Sequence, residues 1–260
     1  MESVVTSLAD RRARFAALHQ SGCFAIPNPW DGGSAQRLAK AGFQALASTS
    51  AGAAWALGKA DGDITLDEVL EHLRFMAEVT DLPLNADFEA GFADTPDGVA
   101  ANVARCVETG VAGLSIEDKD PRTGGFFPRD EAVARIAAAR AAIDRAGAQV
   151  MLVGRCEAYL MKDKLDLEEV IGRLNAYAQA GADVLYAPGI KPLAPTAEIV
   201  RRVSKPVNAN LTATGLSVAD FAGVGVRRVS VGGALARAAY DAFDGFARLL
   251  ANEGRLPERY

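Results

Sequence analysis

Short apolar runs alternate with longer amphipathic ones along almost the whole chain, eight times over, and few folds accept that pattern. The apolar runs at 24–26, 44–48, 83–87, 112–117, 149–155, 182–187, 206–210 and 227–231 have strand length and strand composition. Between and after them, helical spacing predicts helices at 33–41, 65–79, 96–109, 129–146, 166–180, 195–203, 217–222 and 233–251, with one more at 7–21. Boundary residues agree: Gly22, Gly42 and Gly110 stop helices, and Thr65 with Glu68 has the spacing of a capping box. Eight such units, joined by right-handed crossovers, predict an α/β fold of the (β/α)8 TIM-barrel type, as a single domain over residues 1–260. An open doubly wound sheet would usually carry a Gly-x-Gly-x-x-Gly turn after an early strand, and no such turn is present.

Composition removes several function classes. Half the residues are hydrophobic and 23% are charged, enough apolar material for a large core. A formal net charge of -5 with no basic stripe argues against nucleic acid or an anionic membrane as partner. The Arg-Arg pairs at 11–12, 201–202 and 227–228 read as helix or strand-end surface. Cys23, Cys106 and Cys156 contain no Cys-x-x-Cys pair, so neither a disulfide framework nor a zinc knuckle is expected. The N-terminus lacks an apolar signal region and no run of 18 apolar residues occurs, which makes the cytoplasm the default location.

Barrel enzymes work at the carboxyl ends of their strands, and those ends are polar here. The third strand ends in Pro83-Leu-Asn-Ala-Asp-Phe-Glu-Ala-Gly91, where strand alternation puts Asn85, Asp87 and Glu89 on one face. Two carboxylates and an amide are ligands suited to Mg²⁺ or Mn²⁺, although a strand running into a solvated loop would show the same residues. Glu117 on the next strand and Asp61 in the loop after strand 44–48 can supply further oxygens. Asp61 reads equally well as a turn aspartate in Asp61-Gly-Asp63.

Asn28, Ser48, Asn208, Asn210 and Gly232-Gly233 occupy the other strand ends, Gly232-Gly233 being a weaker candidate phosphate site. Arg155 is placed to face an anion or developing oxyanion, or to pair with Glu157 or Glu117. Thr49, Ser50 and Ala51 offer successive backbone N–H donors for a carboxylate or phosphoryl group. His19 and His72 lie within helices and are poorly placed as a general base, and alternation turns Cys156 away from the barrel axis.

Taken in order, Asn28-Pro-Trp-Asp31, Thr49-Ser50-Ala51 with Gly58-Lys-Ala-Asp61, Asn85-Ala-Asp87-Phe-Glu-Ala-Gly91, Ile116-Glu-Asp-Lys119, Gly154-Arg-Cys-Glu157 and Asn208-Ala-Asn-Leu-Thr212 resemble the isocitrate lyase/phosphoenolpyruvate mutase superfamily. The resemblance runs from about Phe15 to Leu249. It implies Mg²⁺, or Mn²⁺, around Asp87, with Asp61, Asn85 and Glu117 nearby, facing a pyruvate-like 2-oxo or dicarboxylic acid. It implies that Thr49, Ser50 and Ala51 hold the substrate carboxylate, with Asn210 a further binding residue, and that Arg155 stabilises an enolate oxygen. It also implies a homo-oligomer, dimer or tetramer, with the last helix exchanged between subunits.

Two departures narrow the chemistry. Asn85 stands where many members carry aspartate, removing one negative charge. The loop Lys119-Asp-Pro-Arg-Thr-Gly-Gly-Phe-Phe-Pro128 has no cysteine or histidine, whereas the superfamily's C–C lyases carry a Lys-[Lys/Arg]-Cys-Gly-His segment there. Gly124-Gly125 and Phe126-Phe127 give that loop the character of a water-excluding lid. The expected activity is C–C cleavage of a small 2-oxo or 2-hydroxy di- or tricarboxylic acid, with Lys119, Arg122, Glu157, a Thr49 or Ser50 hydroxyl or bound water replacing the cysteine. P–C chemistry on a phosphonate, and binding of 2-oxo acids without turnover, are the alternatives.

Overall fold

The computed structural model describes residues 6–162, 164–211 and 215–257, so Thr212, the end of the last resembling segment, lies outside the described residues. Eight parallel strands form the barrel: β1 (Phe24–Ile26), β2 (Leu46–Ala47), β3 (Leu84–Asp87), β4 (Gly113–Glu117), β5 (Met151–Arg155), β6 (Val184–Tyr186), β7 (Val207–Asn210) and β8 (Arg228–Ser230). They neighbour one another in the order β1-β8-β7-β6-β5-β4-β3-β2. The ends of that order meet where the Ala47 N–H donates to the Pro27 carbonyl at 3.1 Å, so the barrel is nearly closed. The expected fold is the one found.

The helices are α1 (Leu8–Leu18), α2 (Gly32–Lys40), α3 (Ser50–Ala56), α4 (Leu66–Glu78), α5 (Pro96–Val107), α6 (Arg129–Arg145), α7 (Leu167–Gln179), α8 (Leu193–Arg202), α9 (Val218–Gly223) and α10 (Ala234–Glu253). Side-chain caps set several N-termini: Thr65 and Glu68 form the expected capping box of α4, and Asp31 with Ser34 forms another at α2. The stretch after β2 departs from expectation, because its Gly- and Ala-rich composition reads as loop and it contains α3. Gly52 is there for close approach, since a Cβ would lie 2.7 Å from both Thr49 Cγ2 and Trp30 Cβ.

The main hydrophobic core lies between the strands and their surrounding helices, with Leu73, Met76, Leu84, Leu114 and Ile143 all fully buried. Truncating one such Leu to Ala costs about 2–5 kcal/mol. Inside the barrel the filling is different. Asn85, Ser115, Asn208, Arg228 and Ser230 are buried there, where bulky aliphatics are the common choice. Phe15 of α1 closes the lower end, packed so tightly that a Cβ on Gly113 would lie 2.7 Å from its ring and 2.8 Å from Asn85 Oδ1. The barrel is therefore plugged below and polar above.

Candidate active site

A cavity of about 430 Å³ opens at the carboxyl ends of the strands, with Asp61, Asp87, Arg155, Tyr186, Asn210 and Gly232 on its walls. An ion-paired cluster lies at the ends of β3, β4 and β5. Parallel register puts Glu117 beside Arg155. The Arg155 guanidinium donates to Asp87 Oδ1 at 3.0 Å, lies 3.4 Å from Glu117 Oε2 and makes a short contact with Glu157. Asp87 Oδ2 accepts the Ser50 N–H at 3.1 Å, and the Asp87 N–H donates to Ser48 Oγ at 2.8 Å, so the third strand end is tied to the second.

Burial and crowding set the protonation of this cluster. Burial lowers the Arg155 pKa in isolation, but Glu157, Glu117 and Asp87 together hold it well above its ordinary value. Burial pushes Glu117 well above the carboxylate range, opposed by Arg155 and reinforced by Glu157, Asp87 and Glu89. Glu89 rises to about 7, first through burial and then through Asp87 and Asp61, with Lys119 and Arg155 opposing.

Glu89 belongs to the cluster by a route that strand alternation does not anticipate. β3 ends at Asp87, and Glu89 has a left-handed backbone, φ 44°, as does Phe92 at 53°. Such conformations in non-glycine residues cost about 1–3 kcal/mol and persist where the surroundings enforce them. Here Asn102 Nδ2 donates to the carbonyls of Gly91 and Phe92 at 3.0 and 2.8 Å, and buried Arg135 of α6 donates to those of Ala90 and Ala93 at 2.9 and 2.5 Å. The turn leaves Glu89 Oε1 buried with no hydrogen-bond partner among the described residues. An orphaned carboxylate oxygen beside further carboxylates fits a hard cation with oxygen ligands. Among the described residues no group of three His, Cys, Asp or Glu side chains converges closely enough to form a complete metal cage.

The remaining candidate residues divide by position. Thr49, Ser50, Ala51 and Asn210 line the cavity. Asn85 also lines it, lower in the barrel, where its Oδ1 accepts from Arg228 Nη1 at 3.2 Å. Glu157 is buried behind Arg155, its N–H held by Asp118 Oδ1 at 2.9 Å. Asp118 is a hub that also accepts from Tyr177 Oη at 2.7 Å and Arg173 Nη1 at 3.2 Å. Lys119 is exposed, at the start of the loop after β4. Arg122 lies outside the cavity lining, half-exposed and bonded through both Nε and Nη2 to Asp120.

Three expectations need correction. Phe127 is core, not lid: it is buried, and Arg135 stacks on its ring at 4.0 Å. Arg228, read as surface from an Arg-Arg pair, is buried inside the barrel, because β8 turns alternate residues inward. Arg11 and Arg12 are likewise not loose surface, since they donate to the carbonyls of Ala77 and Val111 at 2.7 and 3.0 Å. Tyr186, on the cavity wall under the Arg155 guanidinium, carries no signal of its own in an apolar run. Asn28 does more than end a strand. Its Oδ1 accepts the N–H groups of Val231 and Gly232, both at 2.9 Å, and shapes the turn after β8.

Comparison with known proteins places this geometry in context. The family profile described as Phosphoenolpyruvate phosphomutase matches residues 15–251. An uncharacterized protein of Mycobacterium tuberculosis is 32% identical over 251 residues, 94% of this chain and 91% of that one. A 2-methylisocitrate lyase of Escherichia coli K12 is 34% identical over 186 residues, 68% of this chain and 61% of the lyase. A solved structure from Burkholderia cenocepacia J2315, provisionally assigned as a lyase/mutase, superposes with a TM-score of 0.92 at 45% identity, covering 96% of this chain and 91% of that one. An oxaloacetate acetylhydrolase solved with its product oxalate superposes with a TM-score of 0.87 at 27% identity, over 96% and 89% of the two chains.

Proposed function

The chain belongs to the phosphoenolpyruvate phosphomutase family, within the isocitrate lyase/phosphoenolpyruvate mutase superfamily, and on that premise we propose a Mg²⁺-dependent lyase that cleaves a C–C bond of a small 2-oxo or 2-hydroxy di- or tricarboxylic acid. A pyruvate-type enolate is formed or consumed in the reaction. The convergence of Asp87, Glu117 and Glu157 on the Arg155 guanidinium at the cavity wall carries this reading. The relatives support the substrate class, being named for 2-methylisocitrate and oxaloacetate.

Asp87, with Asp61, Glu89 and Glu117 around it, would hold Mg²⁺, with Mn²⁺ as a substitute; Asn85, expected as a further ligand, instead has its Oδ1 on Arg228 Nη1. When bound, the ion supplies Lewis-acid polarisation of a 2-oxo group and fixes the orientation of the acid. The protein's own groups do the rest. Backbone N–H groups at Thr49 and Ala51 and the Asn210 amide orient the substrate carboxylate. Arg155, locked by three carboxylates, presents a fixed positive charge to the oxygen that becomes anionic, with no reorganisation at the moment of reaction. Proton transfer at the carbon falls to Lys119, whose charge is felt at Glu89, since Glu157 is buried behind Arg155 and the Arg122 fork serves the loop through Asp120.

Among the described residues no helix is long and apolar enough to cross a membrane. Cys23, Cys106 and Cys156 are free thiols, which supports a reducing compartment, and we place the enzyme in the cytoplasm. We also propose a homo-oligomer. Only Ala236 of α10 is buried, while Phe243 is 67% and Leu250 52% exposed, an apolar face suited to a second subunit.

A proton and phosphorus NMR screen with and without Mg²⁺, against oxaloacetate, 2-alkylmalates, methylisocitrate and phosphonopyruvate, tests the reading. Metal-dependent release of a 2-oxo acid such as pyruvate, or of acetate, from a carbon acid is the expected result. New phosphate or phosphoenolpyruvate would replace it with P–C chemistry, the second reading, which the absence of a cysteine from loop 119–128 favours. Binding without turnover would leave a 2-oxo-acid binding protein.

A further inference from the structure

Three guanidiniums line the cavity: Arg237 is exposed at its rim and stacks on Trp55 at 4.9 Å, and the two inner ones are treated in opposite ways. Arg155 meets three carboxylates. Arg228 is 3% exposed and meets none among the described residues; its Nε donates to Asn208 Oδ1 at 3.0 Å and its Nη1 to Asn85 Oδ1 at 3.2 Å. Since β8 and β3 are not neighbours in the sheet, the side chain crosses the barrel interior to reach Asn85. It thus lies below Asp87, which shares a face with Asn85 two residues further along β3. The small surface it keeps lines the cavity, alongside Ser230 and Tyr186, whose hydroxyls are 3.4 Å apart.

A buried cation with only neutral partners is costly, and a plug for the barrel needs no charge. A guanidinium stays cationic at neutral pH even when buried. Two amide oxygens hold the guanidinium without neutralising it, and among the described residues Nη2 has no hydrogen-bond partner. The floor of the cavity therefore carries a fixed positive charge, a forked donor and two hydroxyls. That is a receptor for an oxyanion.

We propose that Arg228, with Ser230 and Tyr186, receives the second anionic group of the substrate, a distal carboxylate or phosphonate, while the 2-oxo end stays at Asp87 and Arg155. This rests on the reading of the cavity as a 2-oxo-acid site and assigns the residue that selects dianionic acids over pyruvate-like monocarboxylates. Asn208 and Asn85 are its positioning residues, keeping the fork aimed without consuming its charge.

The test is calorimetric binding in Mg²⁺ buffer of 3,3-difluorooxaloacetate, phosphonopyruvate and pyruvate to the full chain and two variants. Asn208→Asp is nearly isosteric and sets a carboxylate against Nε, pairing the charge without opening the barrel. Arg228→Lys keeps a charge but loses the fork. Wild type should bind one of the two dianions at least about tenfold more tightly than pyruvate, and Asn208→Asp should lose about tenfold to a hundredfold for that dianion with pyruvate unchanged. Arg228→Lys should fall between them. Preference for difluorooxaloacetate identifies a carboxylate, preference for phosphonopyruvate a phosphonate. Equal losses for all three ligands, or no loss in Asn208→Asp, would overturn the assignment while leaving the 2-oxo-acid reading intact. If wild type binds none of the three, that reading fails and the assignment falls with it.

Discussion

The mouth of the barrel has two sides built from different chemistry. At the ends of β3–β5, Asp87, Glu117 and Glu157 each lie within ion-pair distance of Arg155. On β7, β8 and the end of β1, the cavity is lined by amides and hydroxyls, Asn28, Asn208, Asn210 and Ser230, set around the Arg228 guanidinium with no carboxylate beside it among the described residues. The difference separates two tasks. Buried carboxylates outnumbering their guanidinium are poised to take up a cation, whereas neutral amides hold shape and hydrogen-bond direction over the whole pH range. Chemistry is therefore expected on the charged side and recognition on the amide side.

The largest effect should follow from Asp87→Ala, which removes the acid on which the Ser50 N–H and Arg155 both converge. Turnover should fall about a thousandfold or more, with the far-UV circular dichroism spectrum unchanged. Turnover within about tenfold of wild type would end the case for a cation at this strand. Arg155→Met should come next, lowering kcat about a hundredfold to a thousandfold. It also strands three carboxylates, and removing one member of a buried charge cluster costs about 3–5 kcal/mol, so denaturant melts should show the loss directly. If Arg155→Met lowers stability but leaves kcat alone, the charged side is scaffold.

How far these sides were legible in the sequence depended on whether the signal was local. Asp87, Glu117 and Arg155 stand at strand ends that periodicity alone locates, and the structure brings all three together. Arg135 and Asn102, which hold the turn after β3, lie on α6 and α5, and nothing in a helical pattern says that a side chain will cap a distant loop. Arg228 was obscured by Arg227, whose exposed Nη1 bonds to the Gly22 carbonyl; a one-residue shift along a strand separates surface from barrel interior. α3 was hidden because Gly52 looks like a loop residue until Trp30 and Thr49 are seen pressed against it.

Glu89 gives a pH-dependent test of intermediate size. Its pKa is near 7 in the fold, raised mainly by burial, against an ordinary value of 4.5. Between those values the unfolded chain loses its proton while the folded one keeps it, so the group's cost to stability is absent below pH 4.5, grows as pH rises and is complete above 7. Glu89→Gln should therefore raise Tm of the metal-free protein at pH 8 and leave it nearly unchanged at pH 5. A bound cation needs the ionised form, so Mg²⁺ affinity should weaken about tenfold or more per pH unit below 7 in wild type and do so with a shallower slope in Glu89→Gln, where Glu117 is the remaining raised carboxyl. Equal slopes in both proteins would take Glu89 out of the cation site.

The smallest effect should come from the amide side. Asn210 ends β7, faces the cavity, and no hydrogen bond to its side chain is assigned within the protein among the described residues, so its amide is free to meet a ligand. A neutral hydrogen bond is worth about 0.5–1.5 kcal/mol, and one made equally to substrate and transition state changes KM alone. Asn210→Ala should raise KM about threefold to tenfold with kcat unchanged, and steady-state kinetics on whichever acid the NMR screen identifies would measure both. A fall in kcat comparable to that of Arg155→Met would erase the division between the two sides, because it would mean that an uncharged group on β7 is engaged only as the transition state forms. A rise in KM alone would sharpen it, leaving the movement of charge to β3, β4 and β5.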